Sequence, residues 1–143
     1  EHPAPTTFTG QLQPQMLVDA DDVERLRQDP AARIIDARAP ERYRGDTEPL
    51  DKVAGHIPGA VNYPYLSSLA ADKTFLPADV LRRQLAVALG DVPAHQAVFY
   101  CGSGVSAAHN LLALEHAGLS GARLYAGSWS EWCADAERPV AKA

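Results

Sequence analysis

The run Cys101-Gly102-Ser103-Gly104-Val105-Ser106 combines a thiol with two glycines where the chain is expected to change from strand to helix. The apolar stretch 97–100 precedes it, and a helix-forming stretch, 107–112, follows it. Glycines let the backbone turn tightly there, so that successive N–H groups can surround one anionic atom. A helix N-terminus also lowers the pKa of a cysteine placed there below its usual value of about 8.5. The run predicts a nucleophilic sulfur, and the plain alternative is a small buried residue at a strand end.

Two other kinds of cysteine chemistry fit this run less well. A cysteine phosphatase needs an arginine that closes the loop and grips phosphate with two N–H groups, and at the expected spacing this chain has Ala107. A protease or amidase needs a histidine base near the thiol. His109 lies in the predicted helix after the loop, where we expect it to point elsewhere. Neither reaction is therefore favoured.

Three arginines follow a second predicted strand end, in the segment 36–45. Arg42 is the candidate for binding an anionic group of a substrate, because the planar guanidinium matches a carboxylate geometrically. The alternative is that Arg42 lies on a solvated helix face and pairs with Glu41 or Glu48. The spacing alone leaves both interpretations open.

The other polar residues near these segments are expected to be structural. Asp36 and Arg38 would hold the adjoining strand ends in place by hydrogen bonds, and Arg44 would lie at the surface. His56 has no second ligand at a spacing that binds metal, so we expect no metal and no cofactor. Cys133 is interpreted as a thiol without a role in the chemistry.

Composition limits the kind of protein. The chain has 143 residues, of which 46% are apolar and 22% charged, which fits one globular domain. A net charge of −5 without a basic cluster predicts that neither nucleic acid nor an anionic membrane is a partner. No apolar run approaches the roughly 20 residues of a membrane span. Two cysteines make a weak disulfide framework, so we expect reduced thiols and a cytoplasmic location.

Short apolar runs alternate with helical patterns, which predicts an α/β fold. Residues 1–15 are rich in Pro, Thr and Gln and are interpreted as a linker or N-terminal arm, followed by one domain over 16–143. Predicted strands cover 16–18, 33–36, 61–63, 97–100 and 123–125. Predicted helices cover 20–28, 41–44, 77–89, 107–117 and 128–135. This order indicates a mainly parallel central sheet of about five strands with helices on both faces. Ligands bind such sheets outside the carboxyl ends of the strands.

Three segments together resemble the signatures of the rhodanese-domain sulfurtransferases, over residues 16–135. The first is Asp36-Ala37-Arg38 with Arg42-Tyr43 and Gly55-His56-Ile57-Pro58-Gly59-Ala60, the second is the cysteine loop, and the third is Gly127-Ser128-Trp129-Ser130-Glu131-Trp132. Each is modest alone, whereas their order and spacing together are specific. The resemblance implies a rhodanese-like fold and a catalytic rhodanese domain over residues 16–143.

The resemblance implies that Cys101 is the catalytic residue and carries sulfur as a persulfide. Its thiolate would attack the sulfane or thiol sulfur of a donor, and an acceptor nucleophile would then take the sulfur. Arg42 would hold the anionic end of the donor. The main-chain N–H groups of the loop would stabilise the thiolate and the persulfide, and the residues that supply them are Gly102, Ser103, Gly104, Val105 and Ser106. The Ser103 hydroxyl would help to move a proton.

The uncharged loop resembles the branch of the family that uses 3-mercaptopyruvate, because the dianion thiosulfate would want more positive charge there. Lys52 is the candidate for a second cation in the site. The implied acceptor is a thiol, cyanide or thioredoxin. Because the N-terminal arm resembles a linker between domains, we expect this chain to be the C-terminal half of a two-domain enzyme that has a separate N-terminal rhodanese domain. Two alternatives remain: a catalytically silent rhodanese module used for binding, and a thiosulfate-specific rhodanese.

Overall fold

Five short strands form a single parallel sheet in the computed structural model, which describes residues 4–143. The strands are β1 (Leu17–Val18), β2 (Arg33–Asp36), β3 (Val61–Asn62), β4 (Ala97–Tyr100) and β5 (Arg123–Tyr125). Their order across the sheet is β1-β5-β4-β2-β3, and every neighbouring pair is parallel. The predicted parallel sheet is thus confirmed, with β4 as its middle strand.

Within the described residues, five α-helices connect or flank the strands. They are α1 (Ala20–Leu26), α2 (Pro40–Arg44), α3 (Ala78–Leu89), α4 (Val105–His116) and α5 (Ser128–Trp132), with short 3-10 turns at Pro14–Met16, Tyr65–Ser68 and Ala94–Gln96. α1 and α5 end earlier than the predicted residues 28 and 135. After each helix the main-chain hydrogen bonds join residues three apart, as in a 3-10 turn. The Gln28 N–H donates to the Arg25 carbonyl, and the Ala134 N–H donates to the Glu131 carbonyl, both at 3.3 Å.

Helices cover both faces of the sheet, because successive strand residues point to opposite faces. On one face α3 and α4 pack over the strands; the buried residues there include Ile35, Phe99, Leu81, Leu85 and Leu114. On the other face α1 and α5 do the same; the buried residues there include Ile34, Val98, Val23, Trp129 and Trp132. The middle strand is buried along its whole length, so a residue directly after it begins inside the core.

Part of the predicted N-terminal arm, residues 1–3, lies outside the described residues. Residues 4–13 form no helix or strand and are exposed. Of the helices within residues 4–143, none combines the length and the apolar character that crossing a membrane requires.

Candidate active site

The carboxyl ends of the parallel strands meet at one edge of the sheet, and the predicted site residues follow them. Cys101 comes directly after β4, and Ala37 comes directly after the neighbouring β2. The Ala37 N–H donates to the Tyr100 carbonyl at 2.8 Å, which continues the ladder to the end of β4. The cysteine and the arginine segment are therefore placed side by side by the register of two adjacent strands.

The cysteine loop turns sharply into α4 at Gly104. This residue has φ +86°, in the left-handed region, and directly precedes α4. A Cβ atom at Gly104 would lie 2.9 Å from the Ala126 carbonyl oxygen, so only glycine fits this close approach. The thiol residue itself is 3% exposed. The loop thus holds the sulfur at the beginning of a helix, where the helix dipole favours negative charge.

A cavity of about 290 Å³ opens beside the thiol. Of the residues that the sequence predicted to act here, the cavity is lined by Cys101, Arg42, Gly102, Ser103 and Ser106. The two other predicted residues do not line it: Gly104 is buried at the start of α4, and the side chain of Val105 is exposed. The structure therefore brings the predicted cation and the predicted nucleophile to one cavity.

Arg42 lines this cavity and also forms an ion pair. Its Nε and Nη2 donate to the Glu48 carboxylate at 3.2 and 2.6 Å. The Asp51 carboxylate lies 3.6 Å from Nη2. Nη1 has no hydrogen-bond partner within residues 4–143, and a Cβ at Gly102 would lie 3.5 Å from both Nη1 and Nη2. One edge of the guanidinium is thus paired with a carboxylate, while the other edge faces the cysteine loop.

Glu48 is a buried carboxylate, with a side chain only 3% exposed. Besides the Arg42 bonds it accepts Nη1 of Arg38 at 3.2 Å and the main-chain N–H groups of Leu50 and Asp51 at 3.2 and 3.3 Å. Burial by itself would raise the pKa of Glu48, but the hydrogen bonds outweigh it and hold that pKa below its ordinary value. The carboxylate therefore stays ionised and fixes the orientation of Arg42.

Arg38 lies buried where the first and third signature segments meet. Its Nη2 donates to Asp36 and to the Gly55 carbonyl, both at 2.7 Å. Its guanidinium carbon lies 4.8 Å from the centroid of the Trp129 ring, in cation–π geometry. Desolvation opposes the charge, but the bond with Asp36 raises the pKa of Arg38 above its ordinary value. Arg38 is thus a charged link between segments that are distant in the chain.

A larger cavity of about 380 Å³ lies next to the first, and Leu50 and Ser130 line both. Lys52, the candidate second cation, lines only the larger cavity, as does Cys133. Burial raises the pKa of the Cys133 thiol above its usual value. The smaller cavity is the candidate active site, because it holds the loop thiol of Cys101.

His109 packs against aromatic rings and does not line the cysteine cavity. Its ring centroid lies 5.4 Å from that of Tyr65 and 4.9 Å from that of Phe75. Within the described residues, no three His, Cys, Asp or Glu side chains are grouped to hold a metal ion.

The sequence did not single out five residues that shape the site. Ala39, Leu50, Tyr65 and Ser130 line the cysteine cavity, and the Ser128 hydroxyl accepts the main-chain N–H of Cys101. Three of the lining residues are apolar or aromatic and carry no pattern of their own in the sequence. Ser128 and Ser130 lie within the third signature segment, and that membership was the signal available in the sequence.

The fold and the site together define an α/β domain that holds a thiol loop at the carboxyl ends of a parallel sheet, opposite a guanidinium. The chain belongs to the rhodanese family, since the model of the Rhodanese-like domain matches residues 19–135.

Two curated relatives extend this assignment. A Pseudomonas aeruginosa protein that carries the name "Probable 3-mercaptopyruvate sulfurtransferase" is 47% identical over 96% of this chain and 48% of its own length. A Mycobacterium tuberculosis protein with the provisional name thiosulfate sulfurtransferase SseB is 52% identical over 76% of this chain and 38% of its own length. The chain thus spans less than half the length of these relatives.

A solved structure supports the fold. A variant of EanB in complex with ergothioneine superposes with a TM-score of 0.83 over 98% of this chain and 36% of that chain, at 22% sequence identity. At this identity the likeness concerns the fold alone.

Proposed function

We propose that this domain is a sulfurtransferase that carries a sulfur atom as a persulfide on Cys101. The observation that supports this most directly is that Cys101 and Arg42 line one cavity at the carboxyl edge of the sheet. The names of the relatives support the same class of reaction.

In the first half-reaction the Cys101 thiolate attacks the thiol sulfur of 3-mercaptopyruvate. The new S–S bond forms as the C–S bond of the donor breaks, and the departing enolate takes a proton to become pyruvate. The edge of Arg42 that includes Nη1 binds the carboxylate of the donor, since Nη1 has no hydrogen-bond partner within residues 4–143 and faces the loop. Ser103 lines the cavity, and its hydroxyl is the group that we propose helps to move the proton.

In the second half-reaction an acceptor nucleophile attacks the outer sulfur of the persulfide. The S–S bond breaks, the outer sulfur leaves with the acceptor, and the thiolate returns to Cys101. Main-chain N–H groups would stabilise the sulfur anion in both half-reactions, and the residues that supply them are Gly102, Ser103, Gly104, Val105 and Ser106. The site thus needs no metal or organic cofactor in this scheme.

The donor that we propose is 3-mercaptopyruvate in preference to thiosulfate. The loop contributes no positive side chain, and both arginines that line the cavity are already paired. Arg42 pairs with Glu48 and lies near Asp51, and Arg38 pairs with Asp36. A donor with a single carboxylate suits this modest positive charge better than a dianion does. The alternative is a thiosulfate-specific rhodanese, which the name of the mycobacterial relative supports.

For the acceptor we propose a thiol, cyanide or thioredoxin. Leu50, at the cysteine cavity, exposes 78% of its surface, and Val105, in the cysteine loop, exposes 75%. Exposed apolar side chains at this position suit contact with a partner protein or with a second rhodanese domain. A cytoplasmic setting is proposed because persulfide chemistry requires a reduced thiol, and both Cys101 and Cys133 are free in the structure.

Mass spectrometry of the purified chain tests the proposal. After incubation with 3-mercaptopyruvate and no acceptor, we expect the intact mass to rise by one sulfur atom, located on Cys101. Addition of cyanide should remove the sulfur as thiocyanate. Cys101→Ser should gain no sulfur, whereas Cys133→Ser, the matched thiol variant, should gain it like the unchanged chain.

An unchanged mass with every donor would overturn the proposal and favour a silent binding module. A sulfur gain that persists in Cys101→Ser would also overturn it. Faster turnover with thiosulfate than with 3-mercaptopyruvate would overturn the choice of donor and leave the persulfide intact.

A further inference from the structure

Ser128, the first residue of α5, has a backbone conformation that serine rarely adopts. Its φ is +55°, and its side chain is completely buried. A left-handed conformation is unfavourable for a non-glycine residue, and glycine would adopt it without this cost. Such an outlier is maintained only where surrounding contacts determine it, and it is therefore a starting point for a functional hypothesis.

The Ser128 hydroxyl makes two buried hydrogen bonds that join three segments of the chain. It accepts the main-chain N–H of Cys101 at 3.0 Å. It donates to the carbonyl of Tyr125, at the end of β5, at 2.9 Å. The hydroxyl thus links the reactive residue to the strand that neighbours β4, across 27 positions of sequence.

The two residues after Ser128 hold the next carbonyls of the loop. The Trp129 N–H donates to the Cys101 carbonyl at 2.9 Å, and the Ser130 N–H donates to the Gly102 carbonyl at 3.0 Å. In a planar trans peptide the N–H points opposite to the C=O of the same unit. Because both carbonyls point at α5, the N–H groups of Gly102 and Ser103 point away from it. These are the first two N–H groups that follow the thiol residue.

We propose that Ser128 is a positioning residue for Cys101: its hydroxyl fixes the peptide unit before the thiol, while the start of α5 fixes the two units after it. The inference rests on the proposed function, in which loop N–H groups stabilise a sulfur anion. The third signature segment, whose tryptophans pack in the core, then also orients the cysteine loop. The left-handed conformation of Ser128 is what allows the hydroxyl and the following N–H groups to face the loop together.

Two substitutions separate the hydroxyl from the backbone conformation. Ser128→Ala removes the hydroxyl and keeps the cost of positive φ, whereas Ser128→Gly removes both the hydroxyl and that cost. Ser68→Ala is the matched control, because Ser68 is also completely buried, bonds through its hydroxyl to Tyr63, and does not line the cysteine cavity. All variants carry Cys133→Ser, so that Cys101 is the single thiol.

Two readouts are measured on each variant: the rate of persulfide formation from 3-mercaptopyruvate, and the pH profile of Cys101 alkylation by iodoacetamide. Loss of one buried hydrogen bond at the thiol residue predicts a roughly tenfold slower persulfide formation in both Ser128 variants. The alkylation profile should move to higher pH, because the loop N–H groups no longer converge on the thiolate. Ser68→Ala should lower the melting temperature and move neither readout.

The proposal is overturned if Ser128→Gly matches the unchanged chain in both readouts, since the hydroxyl would then be dispensable. It is also overturned if Ser128→Ala behaves like Ser68→Ala. Should Ser128→Ala not fold, Ser128→Gly decides alone, because it lacks the conformational cost. If the unchanged chain forms no persulfide, the proposed function fails, and the alkylation profile still decides whether Ser128 positions the thiol.

Discussion

The two walls of the cysteine cavity differ in the groups with which they can stabilise an anion. The wall formed by the loop 101–106 has no charged side chain, and it offers main-chain N–H groups at the start of α4. The opposite wall is built of charged pairs, in which Arg42 binds Glu48 and Arg38 binds Asp36. Both walls follow strand ends, yet one relies on peptide dipoles and the other on whole charges.

The difference matches the two anions of the proposed reaction. A sulfur anion that forms and disappears on Cys101 is served by fixed dipoles, which need no rearrangement at each step. The carboxylate of a donor arrives and leaves, and a guanidinium already held by Glu48 can bind it through the edge that includes Nη1 without being immobilised anew. We therefore expect substitutions in the loop to affect the chemical step, and substitutions opposite it to affect binding.

The largest effect is expected in the loop wall, from Gly104→Ala. A Cβ atom there meets the Ala126 carbonyl at 2.9 Å, and positive φ is unfavourable for alanine, so the loop must shift. A displacement of about 1 Å in a reacting group costs on the order of a hundredfold in rate. Single-turnover persulfide formation measures the loss.

Gly121→Ala is the control for that experiment. Gly121 also has positive φ, at +88°, and a Cβ there meets His95 rather than the cysteine loop. Gly121→Ala should lower the stability of the fold, with little change in the rate of persulfide formation per folded molecule. Equal rate losses in the two variants would mean that persulfide formation does not depend specifically on the geometry of the cysteine loop.

A smaller effect is expected opposite the loop, from Arg42→Lys. Lysine keeps the charge and loses the planar edge that faces Gly102, so the KM for 3-mercaptopyruvate should rise about tenfold while kcat changes less. Steady-state kinetics separate the two constants. Arg44→Lys is the matched control, since Arg44 is half exposed and pairs with Asp46. A fall in kcat at unchanged KM would place Arg42 in the chemical step instead.

The smallest effect on turnover, about threefold, is expected from Glu48→Gln, which leaves Arg42 in place but weakens its orientation. The effect of this variant on the free energy of unfolding at acid pH should be easier to detect. The pKa of Glu48 lies below its ordinary value of about 4.3, so its stabilising contribution is complete above that value and is lost as pH falls through the lower, folded-state pKa.

Urea unfolding between about pH 5 and pH 3 measures that effect. The unchanged chain should lose more free energy of unfolding over this interval than Glu48→Gln does. Asp46→Asn is the control, because Asp46 is exposed and its pair with Arg44 contributes little. Identical slopes for the unchanged chain and Glu48→Gln would show that the Glu48 contacts do not stabilise the fold.

The strands and the cysteine loop could be predicted from the sequence because local signals determine them. Strand β2 was expected over 33–36 and β4 over 97–100, and both lie there. Short apolar runs in a parallel sheet are buried on both faces and stand out between polar turns. Gly90 ends α3 as expected, because glycine readily leaves the helical conformation.

The contacts around the site could not be predicted in the same way, because they depend on packing between distant segments. The sequence offered Glu48 as a surface partner for Arg42, and the structure buries it between Arg38 and Arg42. Nothing local distinguishes a carboxylate that will be buried from one that will be solvated. The bond from the Cys101 N–H to Ser128 joins residues 27 apart, a distance over which composition carries no signal.

The order of strands in the sheet also bears on how the site comes into being during synthesis. β5 lies between β1 and β4, so the last strand to be made must insert between two earlier ones, with Leu124 beside both Leu17 and Phe99. Contacts between such distant positions form late and slowly in folding. On a ribosome, Cys101 emerges well before the residues that orient its loop. We expect the nascent chain to carry an ordinary thiol, whose reactivity toward a sulfur donor arises only once the sheet has closed.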